Sequence, residues 1–197
     1  MDTENIVVDF KEKSPLSKKL LPLILLVSVI LADQITKFLV VKYIPITYPP
    51  AVAFSWFDGF ARIIHVCNPG IAFSIGQGWS LAARATLFRV LPLIVIGLVL
   101  FVYFRNEDFT GFQRWAICGI AGGGIGNLID RFFRSEGVVD FIDVKWFGLT
   151  DCPVSILQMD RWPTFNVADA AVVVCGFMLI ISFVFTLKNN KDKKEVK

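Results

Sequence analysis

Histidine is all but missing from the chain: His65, between Ile64 and Val66, is the only one. A Ser-His-Asp arrangement would have to rest on it alone, and a histidine-based metal centre would have no second imidazole. It reads as a plain strand residue. Cysteine is sparse as well. Cys67, Cys118, Cys152 and Cys175 make no C-x-x-C pair and no metal-ligand spacing. Cys118 and Cys175 sit inside apolar runs as small packing residues, and nothing in the sequence requires Cys67 and Cys152 to pair. Neither a metal nor a cofactor is expected. The glycine run before Asn127 has no G-K-[ST] behind it, which leaves a phosphate loop without support. The net charge is only +3 and scattered, too little for a nucleic-acid surface. Nor does the amino terminus read as a cleavable signal peptide. A 19-residue preface containing Asp2, Glu4, Asp9 and Glu12 precedes the first apolar run, and no A-x-A site follows it. That run reads as a retained anchor.

Apolar residues are what the chain has in excess: 55% are hydrophobic against 19% charged, with a mean hydropathy of +0.62. More apolar side chains than a core can use must face something other than water, and lipid is the natural partner. A helix needs roughly 20 mostly apolar residues to cross a bilayer. Four candidates appear, at about residues 20–41, 82–104, 115–129 and 168–187. The third is the shortest and carries Asn127. Its Gly119, Gly122, Gly123 and Gly126 stand at four-residue spacings that let another helix approach closely. The expected fold is therefore a mainly α membrane protein. It has four transmembrane helices and a small extracytoplasmic antiparallel β-sheet between helices one and two. Residues 1–19 form an amino-terminal tail, 20–187 a single membrane-embedded domain, and 188–197 a basic tail.

Because successive spans alternate in direction, the ends of helices one and three share a face with the starts of two and four. Asp33, Lys37, Arg84, Arg89, Asn127, Asp130, Arg131 and Asp169 therefore gather at one side of the membrane. Lys11, Lys13, Lys18 and Lys19 before the first span, and Lys188, Lys191, Lys193, Lys194 and Lys197 after the last, mark the opposite side as cytoplasmic. Arg105 and Arg114, in the short loop between spans two and three, agree. Two segments complete the outer side. Residues 42–81 alternate apolar and polar patches around the turn "NPG" and are read as the sheet, with aromatics at the lipid interface. Residues 132–165 hold a strand-like run, Val138 to Val144.

Each acidic residue has an ordinary explanation. Asp33 and Lys37, four apart, can neutralise each other, as can Asp130 and Arg131. Asp169 lies three residues after Asn166, where Asn166 caps a helix and Asp169 meets its dipole. Asp143 reads as solvent-facing. Together they point further, since ionisable groups at bilayer depth are costly and by default functional. Asp140 is set between Val139 and Phe141, and Asp169 opens an otherwise uncharged helix. Two aspartates in a poorly hydrated site tend to share a proton. One can then draw a proton from water while its protonated partner polarises a carbonyl, which is aspartic-peptidase chemistry. A proton- or ion-coupled transporter would instead place its charges near mid-bilayer and show internal repeats. Here the acids stand at span ends and neither half repeats the other. A non-catalytic scaffold remains distinguishable by what loss of Asp140 does.

The chain resembles the lipoprotein signal peptidases (signal peptidase II), aspartic peptidases of bacterial membranes. The resemblance is carried by "DQITK" at 33–37, "NPGIAF" at 68–73, "GGGIGNLIDR" at 122–131, "GVVDFIDV" at 137–144 and "FNVADA" at 165–170, in that order. It implies that Asp140 and Asp169 are the catalytic pair. Asn68, Gly70, Asn127, Asp130, Arg131, Asn166 and Ala168 would shape the site and its substrate contacts, with Asp33 and Lys37 supporting the fold. The implied substrate is a prolipoprotein whose cysteine carries diacylglycerol, cut just before that cysteine at the outer face of the cytoplasmic (inner) membrane. Membrane lipids are further partners, and globomycin-type cyclic peptides the implied inhibitors. No motif of the resemblance falls in 1–19, in 147–162 or in the lysine tail.

Overall fold

The long helices expose much of their apolar surface. In the computed structural model, residues 15–69, 80, 83, 86–146, 148 and 158–195 are described, with side chains as far as residue 188. Gly70, Arg84 and Cys152 lie outside them, as do residues 1–14 and 149–157. Helix α1 (Leu16–Leu20) gives way at Pro22, which has no N–H to continue the ladder, and α2 (Leu23–Tyr43) carries on. The buried residues of α2 are Asp33, Lys37 and Val40, whereas Ile24, Val27, Leu31, Ile35 and Phe38 are exposed. Such a helix suits a solvent of hydrocarbon rather than water. Three stretches are long and apolar enough to cross a bilayer: Leu16–Tyr43, Thr86–Arg105 and Val167–Lys188. The second comprises a π-helical turn (Thr86–Val90) and helix α3 (Leu91–Arg105), and the third is most of α5 (Val167–Glu195).

Helix α4 (Gly111–Phe133) is the exception, and it is longer than its hydropathy suggests: 23 residues, roughly 35 Å at 1.5 Å per residue. It packs against α2, α3 and α5. Neighbouring helices therefore replace lipid around it, and it tolerates Gln113, Arg114 and Asp130 as buried residues. Apolarity marks the lipid-facing helices along their length and the central one only in part, at about 115–129. A capping box starts α4: Thr110 Oγ1 accepts from Gln113 N (3.2 Å) and Gln113 Oε1 from Thr110 N (3.0 Å). Arg114 is thus a helix residue rather than part of the loop. It is buried, and donates to the carbonyls of Tyr103 (3.1 Å) and Asn106 (2.8 Å). The small-residue spacings do set helix approach. A Cβ on Gly119 or Gly123 would collide with Cys175 or the Ala168 carbonyl of α5, and one on Gly122 or Gly126 with Leu26 or Asp33 of α2.

The sheet is not confined to the segment between the first two long helices. Strands β1 (Phe54–Trp56) and β2 (Ala61–Asn68) arise there, but β3 (Val138–Val144) follows α4 and pairs with β2, giving the antiparallel order β1-β2-β3. Hydrophobic alternation predicts strands but not which of them pair. Ile63 pairs with Ile142 and Val66 with Asp140, so β2 carries one residue more than β3 over this interval. That bulge turns both Ile64 and His65 inward, and His65 Nδ1 lies 2.6 Å from the Ile44 carbonyl. His65 is a strand residue tied to backbone. Phe165, just before α5, is held by its own backbone to Ile142, with N–O distances of 2.8 and 3.0 Å. The start of α5 is thereby fixed beside β3.

Candidate active site

Asp140 and Asp169 come from different elements, and two asparagines join them. Asp140, in the middle of β3, accepts from Asn166 Nδ2 (2.7 Å) on one oxygen and from Asn68 Nδ2 (3.2 Å) on the other. Asp169 accepts from Asn127 Nδ2 (2.7 Å) and from the backbone N–H of Asn166 (3.2 Å). Asn166 Nδ2 also reaches Asn127 Oδ1 (3.0 Å), which closes the network. Asn166 is the cap of α5 expected from its sequence: its Oδ1 accepts from Asp169 N (2.9 Å), and Asp169 returns the bond to Asn166 N. At Gly137 (φ +102°), where a Cβ would strike the Asn68 carbonyl and Pro69, the chain passes close enough to bring Asn68 beside Asp140.

Beneath this pair lies a second, fully buried cluster. All three ammonium hydrogens of Lys37 are engaged, by Asp33 (2.9 Å), Asp130 (2.9 Å) and Asn127 Oδ1 (2.9 Å). Lysine only donates, so Asn127 must turn its oxygen to Lys37 and its NH2 to Asp169. The two carboxylates of the cluster also grip backbone. Asp33 Oδ1 accepts from Ala168 N (3.0 Å), one residue before Asp169, and Asp130 Oδ2 from Val139 N (3.2 Å), one residue before Asp140. Ala168, itself fully buried, packs its methyl against Gly126, where no Cβ would fit. Gln34, inside "DQITK" but not singled out by sequence, donates to Asp33 (3.1 Å) and to the Gly126 carbonyl (3.1 Å).

Two expectations are corrected. Asp130 is bound by Lys37 and by Arg134 (2.9 Å), not by adjacent Arg131, because on a helix neighbours in sequence point apart while residues four apart meet. Arg131 instead lies over the ring of Phe88. Asp143 does not face solvent. It is buried between Arg62 (2.5 Å) and Arg161 (2.6 Å), and Arg161 also holds the carbonyl of Gly59 (3.1 Å) in the β1–β2 turn. Residues 158–162, which carry no motif, thus strap the sheet. Arg134 could have been found from its spacing, but Arg161 gave no signal, since its partners are 18 and about 100 residues away.

Burial, and then the neighbouring charge of Asp169, push the Asp140 carboxyl from 3.8 up to about 7, despite the donors that favour its anion. Near neutral pH it can therefore hold a proton. Cys67 is a poor rival nucleophile, since burial and the Glu136 carboxylate raise its thiol to about 11. Among the described residues no three His, Cys, Asp or Glu side chains group as a metal-ligand set.

A model of the signal peptidase (SPase) II family matches residues 25–185. The lipoprotein signal peptidase of Treponema pallidum (strain Nichols) is 46% identical over 179 residues, covering 91% of this chain and 88% of that protein. Its counterpart in Borreliella burgdorferi (strain ZS7) is 38% identical over 165 residues, covering 84% and 89%. Two solved structures described as bacterial membrane enzymes are similar at 26% identity, with TM-scores of 0.68 and 0.65. They cover 86% and 83% of this chain and 90% and 92% of their own. With the family model spanning most of its length, the chain belongs to the signal peptidase II family.

Proposed function

We propose that Asp140 and Asp169 are the catalytic pair with which this chain removes the signal peptide from prolipoproteins. The observation that carries the reading is their meeting, from β3 and α5, in one network of asparagine amides and backbone. Amides at those positions can bond a carboxylate but cannot take its proton, so one proton stays with the pair. Asp140 holds it, in keeping with its raised pKa. In the first step the charged aspartate takes a proton from water as the oxygen attacks the scissile carbonyl, and the protonated one donates to the carbonyl oxygen. In the second, the tetrahedral carbon expels the amine, which leaves with the proton taken from water, while the other carboxylate takes back a proton from a hydroxyl of that carbon and the pair is restored. Asn68, Asn127 and Asn166 orient the carboxylates, Asp33, Lys37, Asp130 and Ala168 fix the backbone beside them, and Arg131 faces the substrate. Gly70 is assigned to the site by its motif alone.

The substrate is a prolipoprotein carrying diacylglycerol on the cysteine that follows the cut, and globomycin-type peptides would compete at the pair. Acyl chains lying among the spans hold the scissile bond at the outer interface, so part of the binding energy is used for positioning. Unlipidated precursor should accordingly be cleaved with kcat/KM lower by about 100-fold or more. Steady-state cleavage of matched lipidated and unlipidated precursors measures this, and equal turnover would refute it.

In this reading α4 is a span as well, the third in chain order, and the pair stands at the extracytoplasmic face of the inner membrane, with both termini cytoplasmic. Lysines flanking the first and last spans favour that orientation. A cysteine placed at Gly59 should then react with an impermeant maleimide in intact spheroplasts. Reaction only after permeabilisation would reverse the orientation.

A further inference from the structure

The helix leading into α3 is widened for a reason written in the sequence. In a regular helix the N–H of residue 92 would bond to the carbonyl of Phe88. Residue 92 is proline, which has no N–H and whose ring crowds that carbonyl. The chain takes a π-helical turn over Thr86–Val90, and α3 resumes with Pro92 in its first turn. Such turns recur at functional sites. This one packs against α4, where the guanidinium of Arg131 lies over the Phe88 ring, 6.0 Å from its centroid.

The surroundings of Arg131 are unusual for a half-buried cation. Its Nε is buried and meets no hydrogen-bond acceptor among the described residues. Asp130 has its oxygens engaged by Lys37, Arg134 and Val139 N. Arg131 stands one helical turn after Asn127, whose amide bonds Asp169. Arg131 is thus held near the pair by a ring rather than by an acid. A guanidinium only donates, and the acceptors that a bound prolipoprotein brings are carbonyl oxygens.

We propose that Phe88 is a positioning residue: its ring keeps the Arg131 guanidinium off Asp140 and Asp169 and turned toward a carbonyl oxygen of the substrate. Without the ring, Arg131 would collapse onto an aspartate, weaken substrate binding and favour loss of the shared proton. The inference rests on the reading of Asp140 and Asp169 as the pair.

The test is steady-state cleavage of lipidated precursor by the purified full chain across pH, for wild type, Phe88→Leu, Phe88→Tyr, Arg131→Gln and the Phe88→Leu/Arg131→Gln double variant. Phe88→Leu should raise KM about tenfold with a smaller change in kcat, and move the alkaline limb of the pH profile to lower pH. Phe88→Tyr, which keeps the ring, should behave as wild type, and Phe88→Leu should add nothing once Arg131 is glutamine. A Phe88→Leu enzyme with wild-type KM and pH limb would overturn the proposal. So would a loss of the same size with Arg131 already replaced, or one that tyrosine does not rescue, since either marks a packing role. Wild-type protein that fails to cleave at all would instead sink the underlying assignment of function.

Discussion

Replacing Lys37 with methionine is expected to cost about 3–5 kcal/mol of stability and to abolish activity with it. The cluster around Lys37 is neutral as it stands: Asp33 and Asp130 carry two negative charges, Lys37 and Arg134 two positive ones. Both carboxylates and the ammonium are fully buried, so removing Lys37 leaves an uncompensated charge where water cannot reach it. Asp33 and Asp130 hold the backbone of Ala168 and Val139, so their repulsion would pull the starts of α5 and β3 apart. Asn127 would also lose one of the two donors to its oxygen, keeping the one from Asn166. The Lys37→Met/Asp33→Asn protein has balanced charge again and should regain part of the stability, since an amide oxygen can still accept from Ala168 N although its NH2 no longer accepts from Gln34. Unfolding in detergent followed by circular dichroism measures both. A Lys37→Met protein as resistant as wild type would mean that the cluster is not the base of the site.

Much of the candidate site was legible because it is built from local devices. Asn166 and Asp169 are a cap and its partner three residues on, Asp33 and Lys37 share a helical face, and the glycine spacings of α4 state how closely α2 and α5 may come. Alternation of span direction then collects those groups at one end. What stayed hidden depends on contacts far apart in sequence. Nothing in "VVDFIDV" names β2 as its neighbour, nor shows Asp143 buried between Arg62 and Arg161. The length of α4 was hidden for another reason. Hydropathy reports contact with lipid, and a helix enclosed by other helices has little of it.

The buried state of Asp143 also changes which aspartate can serve as a control for the pair. Asp143→Asn would break two ion pairs and loosen the sheet. Asp58, exposed in the β1–β2 turn at a positive φ that asparagine tolerates well, is the better choice. Asp140→Asn and Asp169→Asn should each keep the fold, since asparagine matches aspartate in size. Each should lower turnover about 1,000-fold or more, and the double variant should lose little further, because the two act as one unit. The wild-type rate should pass through a maximum with pH and fall as pH rises through about 7, where Asp140 loses its proton. Stability has a related sign. The folded-state pKa of Asp140 is raised, so its contribution is full below 3.8 and is lost as pH climbs through about 7. Asp140→Asn protein should therefore resist unfolding better than wild type above pH 7, while being inactive.

Single-turnover cleavage of a diacylglyceryl-modified precursor, by purified and correctly folded Asp140→Asn, Asp169→Asn and Asp58→Asn proteins, tests the pair most directly. Wild-type rates for Asp58→Asn and no detectable product from the other two are the predicted result. Near wild-type cleavage by either Asp140→Asn or Asp169→Asn would contradict it.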